Sequence, residues 1–206
     1  MQPQSKSKAV FIVWGNFSPR AEDLSARFRP EMQLLWVYMP RLAAIRLLLP
    51  LRYLLQAIHT WRLLAKHRPN IVFVQNPPVF APLAVFLYGR VVGGVRVVID
   101  SHSSCFNSGL WAWSTPLQRR LARHATAFLV HNEEIAAELR AWPGKIFVLH
   151  DAPPDVGTVQ GSALRATRFT VQAVCSFAWD EPIALIMDAA RHLPDVAVRI
   201  TGDYRR

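Results

Sequence analysis

The residues best suited to chemistry in this chain follow short apolar runs. After VRVVI (95–99) comes Asp100-Ser101-His102-Ser103-Ser104. Imidazole is the side chain whose ordinary pKa lies nearest neutrality, so a histidine two residues past a buried strand is placed for proton transfer in a crevice. Asp100 can orient that ring or cap the local backbone. AVFIVW (9–14) is followed by Gly15-Asn16-Phe17-Ser18-Pro19-Arg20, where Gly15 permits a tight turn and close approach of a ligand to the backbone. IVFVQ (71–75) is followed by Asn76-Pro77-Pro78. The prolines stiffen that exit, and Asn76 is either a turn residue or a partner for a ligand hydroxyl such as that of a sugar. His131 and His150 end two further apolar runs, and Asp151 comes next. The three histidines have no metal-ligand spacing, and no metal site is expected. The chain contains no GxSxG elbow, P-loop, HExxH or CxxC, which argues against the common hydrolase, NTPase, zincin and thiol-redox classes.

The elements that must carry these residues alternate. AVFIVW (9–14), MQLLWVYM (32–39), IVFVQ (71–75), VRVVI (95–99), AFLVH (127–131) and KIFVLH (145–150) predict strands. Helices are predicted over 41–67, 80–91, 114–124 and 132–141. Most of the strands lack two-residue alternation, as expected when both faces are covered. Strand–helix alternation predicts an α/β, Rossmann-like doubly wound parallel sheet. In such sheets ligands bind beyond the carboxyl ends of the strands, where the polar residues above stand. After His150 the texture changes. Two adjacent prolines, glycines and small polar residues predict a linker over 153–168, between a first domain at 1–152 and a second unit at 169–206. FTVQAVC (169–175), EPIALIMDAARHL (181–193) and VAVRIT (196–201) restart the pattern as strand, helix and strand. Two strands and one helix do not make a stable independent domain, so this second unit is expected to be incomplete.

Apolar residues make up 51% of the chain and charged residues 18%, enough for a sizeable core and against disorder. Only six apolar residues follow the N-terminal lysines, which is short for a signal peptide. Residues 69–89 are uncharged but interrupted by four prolines, which favours strand, turn and helix over a membrane span. Cys105 and Cys175 are far apart in sequence, and a reducing compartment is the simple reading. The net charge of +10 favours an anionic partner. Residues 39–68 contain Arg41, Arg46, Arg52, Arg62, Lys66 and Arg68 and no acid. On a helical wheel Leu51, Leu54, Leu55, Ile58 and Ala65 share one side, Arg52, His59, Arg62 and Lys66 the adjoining side, and Pro50 is expected to break the segment. A basic amphipathic helix of this kind suits an anionic membrane surface, with Arg41, Arg46, Arg52, Arg62 and Lys66 as its contacts. No motif or interleaved aromatic pattern points to nucleic acid.

The ordered segments GNFSPRA, RPNIVFVQNPP, VVIDSHSS, VLHDAPP and CSFAWDEPIALIMDAARHLPDVAVRITGD resemble those of the β-mannosyltransferases that act on lipid-linked chitobiose and of related family-4 glycosyltransferases. The resemblance implies a two-domain GT-B enzyme that needs no cofactor and no metal. Its substrates would be a nucleotide-sugar such as GDP-mannose and a lipid-linked or glycan acceptor. By position it implies that Gly15, Ser18, Arg20 and Asp100 line the cleft, with Asn76 near the acceptor and His102 beside the reacting sugar. Trp179, Asp180 and Glu181 fall in the segment that opens the donor-binding domain. This sequence departs from the family pattern at Ser103, His150 and Ala152, and the later donor-domain residues are not in the sequence. A separate donor-domain chain is therefore one expected partner. The expected location is peripheral, on the cytoplasmic face of a membrane. The alternative is a non-catalytic Rossmann-like module that docks on a membrane or a partner protein.

Overall fold

The computed structural model describes residues 8–43, 45–107, 109–151, 169–175, 177 and 181–202. The chain divides into two compact units, Met1–Pro153 and Pro154–Arg206.

The first unit is a six-stranded parallel sheet. Its strands are β1 (Ala9–Val13), β2 (Met32–Trp36), β3 (Ile71–Asn76), β4 (Arg96–Ser101), β5 (Ala127–Val130) and β6 (Ile146–Val148), in the order β2-β1-β3-β4-β5-β6. The helices are α1 (Pro19–Arg27), α2 (Pro40–Ala43), α3 (Leu49–His67), α4 (Phe80–Val92), α5 (Ser104–Asn107), α6 (Gly109–Ala112), α7 (Thr115–His124) and α8 (Glu133–Glu138), with 3-10 turns at Arg46–Leu48 and Leu139–Ala141. Branched and aromatic residues on both faces of the central strands need cover on both sides. On one face Val10, Ile12, Val72, Val74, Ile99 and Phe128 pack with Leu64, Val85, Leu121 and Ile135 of the helices. On the other, Phe11 and Val13 pack with Ala21, Leu24 and Met32. Each fully buried Leu, Ile or Phe contributes about 1.5–3 kcal/mol from the area it removes from water. This is the doubly wound, Rossmann-like α/β architecture that the alternation predicts.

One expectation changes. No helix was predicted before β2, yet Ser18 caps α1, accepting a hydrogen bond from the Ala21 amide, and Pro19 occupies its first turn. The expected break of the segment 41–67 at Pro50 is present: α3 begins at Leu49, and Pro50 sits in its first turn, where its missing N–H costs nothing. The region 69–89 forms β3 and the start of α4, and no described helix is long and apolar enough to cross a membrane.

In the second unit β7 (Phe169–Val174) and β8 (Val196–Thr201) pair in parallel, joined through α9 (Ile183–Arg191). No described residue of this unit is buried, and Phe169, Val174 and Leu185 are well exposed. The predicted linker lies outside the described residues.

Candidate active site

Strand order decides which chain exits meet. Register pairs Asp100 of β4 with Gln75 of β3 and with Leu129 of β5, so the residues that leave these strands emerge side by side. Arg20, in the first turn of α1, reaches Asp100 through three contacts: Nε to Oδ1 and Oδ2 at 3.0 Å, and Nη2 to Oδ1 at 2.9 Å. The Arg20 and Asp100 side chains are 7% and 1% exposed, so this is a buried, forked ion pair. Arg20 Nη1 also donates to Asp151 Oδ1 at 2.6 Å, and Asp151 Oδ2 lies 3.3 Å from His131 Nδ1. The His102 and His131 rings lie 4.5 Å apart between centroids. One guanidinium thus ties the exits of β1, β4 and β6 together, and Asp151 links it to the exit of β5.

His102 is fixed from two directions. Its backbone N–H donates to the Asn76 carbonyl at 2.9 Å. Its Nε2 lies 2.7 Å from the Gln75 side-chain nitrogen. With Gln75 donating, Nε2 accepts and the neutral imidazole carries its proton on Nδ1. His102 then offers a ligand a hydrogen-bond donor rather than a basic lone pair.

Burial lowers the His102 pKa, and the neighbouring His131 lowers it further against the opposing pull of Asp100. Burial and the charge of Arg20 lower His131 in the same way. Partial burial would raise the Asp151 carboxyl, but the hydrogen bond from Arg20 and the adjacent histidines hold it below its ordinary value. Burial likewise pushes the Cys105 thiol up, and both cysteines are free.

These shifts predict a pH dependence. The unfolded histidines take up protons from about pH 6.5 downward while the folded ones resist, so the unfolded state binds more protons and stability falls with pH from there. Urea midpoints measured at pH 7.5 and 5.5 should drop for the wild type. The drop should be smaller in His131→Gln; an equal drop would show that His131 does not carry the effect.

The expected site residues separate into those that gather and those that do not. Arg20, Asp100 and His102 come together. Ser18 is buried as the cap of α1. Gly15 has ordinary backbone angles, and a Cβ there would meet Val13 and the Phe17 carbonyl only at ordinary contact distances of 3.7 and 3.8 Å, so the backbone does not demand glycine. Asn76 is 1% exposed and its amide nitrogen donates to Ser101 Oγ at 3.1 Å and Gln118 Oε1 at 3.0 Å. It serves as an internal anchor rather than as a group presented to a ligand. Trp179 and Asp180 lie outside the described residues, and Glu181 is half-buried ahead of α9. Arg41 lies in α2 and Arg46 in the following 3-10 turn. Gln75, Gln118, His131 and Asp151 complete the arrangement. Of these, His131 and Asp151 are already marked by their place at strand ends, whereas the glutamines carry no sequence signal. Among the described residues no group of three or more His, Cys, Asp or Glu side chains is placed to hold a metal ion.

Helix α3 turns the opposite side to the core from the one its wheel suggests. Its buried residues are Gln56, Thr60 and Leu64. Gln56 donates to the Val37 carbonyl at 2.8 Å, and Thr60 accepts from Trp14 Nε1 at 2.9 Å. Leu51, Leu54 and Ile58 are therefore exposed, beside exposed Arg62 and Lys66. No acidic residue occurs between Glu31 and Asp100, so this face is uniformly basic where it is charged.

A family model described as Glycosyltransferase Family 4 matches residues 10–152. The chain belongs to glycosyltransferase family 4. Among solved structures, this family-4 chain is similar to a spinosyn rhamnosyltransferase complexed with thymidine diphosphate. The TM-score is 0.53 and the identity 14%, over 94% of this chain and 65% of that one. The match supports the fold, that of a GT-B glycosyltransferase, and the family-4 chain spans about two-thirds of that protein's length. No curated protein sequence matches it.

Proposed function

We propose that this chain is the acceptor-side part of a GT-B glycosyltransferase. In this reading it moves a hexose such as mannose from a nucleotide-sugar, with GDP-mannose the first donor to test, to a lipid-linked or glycan acceptor at the cytoplasmic face of a membrane. The observation that carries the reading is the Asp100–Arg20–Asp151–His131 chain of contacts beside His102, at the carboxyl end of the parallel sheet in a family-4 domain, where ligands of open α/β sheets bind. Arg20 holds the cleft wall together, and His102 Nδ1–H donates to a substrate oxygen that gains negative charge during transfer. Donor contacts come from the segment containing Trp179, Asp180 and Glu181, completed by further strands downstream or on a separate chain. The exposed Leu51, Leu54 and Ile58 beside Arg62 and Lys66 support docking on anionic lipid.

A second reading, a non-catalytic module that docks on a membrane or a partner, is favoured by one observation: the second unit buries none of its described residues. The two readings separate in a transfer assay. The chain is incubated with radiolabelled GDP-mannose, UDP-sugars or TDP-sugars and a membrane lipid extract, alone and with a candidate donor-domain polypeptide. Label entering the lipid or glycan fraction supports the enzyme. Absence of label under every combination, with vesicle binding retained, supports the docking module.

A further inference from the structure

Unlike exposed Arg62 and Lys66 on the same helix, Arg52 is half-buried. Its Nε is buried without a hydrogen-bond partner, and its guanidinium carbon lies 4.9 Å from the centroid of the Tyr53 ring. A buried donor without a partner carries a desolvation cost that an arriving acceptor would relieve. The first turns of α3 lie at the carboxyl end of the sheet, because the helix follows β2 and runs back to the start of β3.

The same place holds a continuous row of rings. Tyr53 stacks on Trp14, just past β1, with centroids 6.2 Å apart, and packs on Phe80 at 4.8 Å. Phe80 in turn meets Trp111 at 6.4 Å and Trp113 at 6.0 Å. Trp113 is 59% exposed, so the row runs from the interior to an open end. Leu51 and Leu54, one turn of helix around Arg52, are exposed as well. The row is held rigidly. Ser114 Oγ donates to the Trp111 carbonyl at 2.7 Å, Gln118 donates to Ser114 Oγ at 2.8 Å, and Asn76 donates to Gln118. Asn76 also holds the His102 backbone through its carbonyl, so the aromatic row and the His102 loop share one anchor.

We propose that Arg52 and the row Tyr53–Phe80–Trp111–Trp113 form a subsite for a phosphate ester with an apolar body, an alkyl or prenyl phosphate. The phosphate meets the Arg52 guanidinium, whose Nε gains the acceptor it lacks, and the chain lies along the aromatic rings and the adjoining leucines. A guanidinium matches phosphate in geometry and in charge, and the region contains no acid to compete for it. This deepens the acceptor side of the function proposed above and rests on that reading for its role in transfer, but its test is a binding measurement that needs no transfer.

The full chain is titrated calorimetrically with geranyl phosphate, geraniol and inorganic phosphate. Geranyl phosphate should bind, and the other two should bind about tenfold or more weakly, since each supplies half of the interaction. Arg52→Gln should weaken geranyl phosphate binding about 10- to 100-fold. Trp113→Ala should weaken it about 3- to 10-fold. Arg62→Gln, on the exposed face of the same helix, should leave it unchanged. A circular dichroism melt checks folding of each variant; should Arg52→Gln fail to fold, Arg52→Lys, which keeps the charge and loses the fork, takes its place and should bind more weakly than wild type. Geraniol binding as tightly as geranyl phosphate, or Arg62→Gln weakening binding as much as Arg52→Gln, would overturn the subsite. Flotation with phosphatidylglycerol vesicles separates a single ester from a bilayer headgroup. Arg52→Gln should still float while a double Arg62→Gln, Lys66→Gln variant should not. Loss of flotation in Arg52→Gln, together with no binding of geranyl phosphate, would place Arg52 on the bilayer and sink the proposal.

Discussion

Arg20→Ala is expected to destabilise the first unit by about 3–5 kcal/mol, because it leaves the buried Asp100 carboxylate without its counter-charge. In a thermal melt this corresponds to a fall of roughly 10 °C or more. Most of the loss is the cost of an uncompensated buried charge rather than the worth of the ion pair itself. The double variant Arg20→Ala, Asp100→Asn should therefore recover part of the stability, while Arg20→Lys should fall between wild type and Arg20→Ala because it keeps a charge and loses the three-contact fork. Equal melting temperatures for Arg20→Ala and the double variant would remove the ion pair from the account. The same substitution releases Asp151, so the His131 contact should loosen with it. The His131 ring protons in an NMR titration would report this as a changed pH response.

His102→Ala should act on turnover instead of folding. In the assembled transferase, with its donor-binding portion supplied, kcat/KM should drop about 10²–10³-fold, the usual cost of removing one well-placed donor to developing negative charge. The melting temperature should change far less than in Arg20→Ala, since His102 carries no buried ion pair and is only partly buried. Gln75→Leu is the companion test. It removes the partner of His102 Nε2 at 2.7 Å, so the ring is free to change tautomer. A smaller loss of rate, accompanied by a changed pH profile, is expected there. Wild-type turnover in His102→Ala with folding intact would remove His102 from the reaction.

The strands and most helices could be read from the chain because buried parallel strands must be apolar on both faces, and VRVVI or AFLV can do little else. Helix α1 was hidden by composition. PRAEDLSAR buries only Ala21, Leu24 and Ser25, so its apolar signal is weak, and the clue was the pair Ser18-Pro19 as cap and first turn. The face of α3 was misleading for a physical reason. Gln56 and Thr60 are buried because Val37 and Trp14 supply hydrogen-bond partners from distant parts of the chain, and a helical wheel contains no such partners. At the site, position after a strand picked out Asp100, His102, His131 and Asp151 individually. Their grouping depended on β4 lying between β3 and β5, and on Arg20 arriving from a helix that was not expected. Asn76 was correctly placed at a strand tip, but its burial under Gln118 follows from α7 packing over it, which spacing alone does not disclose.

The strand order has a consequence for how the molecule is made. Each strand of the large sheet pairs with one that precedes it in the chain: β2 and β3 with β1, β4 with β3, β5 with β4, β6 with β5. As a ribosome releases this polypeptide, every strand after β1 emerges with one of its neighbours already synthesised. From β3 onward the sheet can grow in one direction at the pace of translation, with β2 as its fixed outer edge and the newest strand as the other.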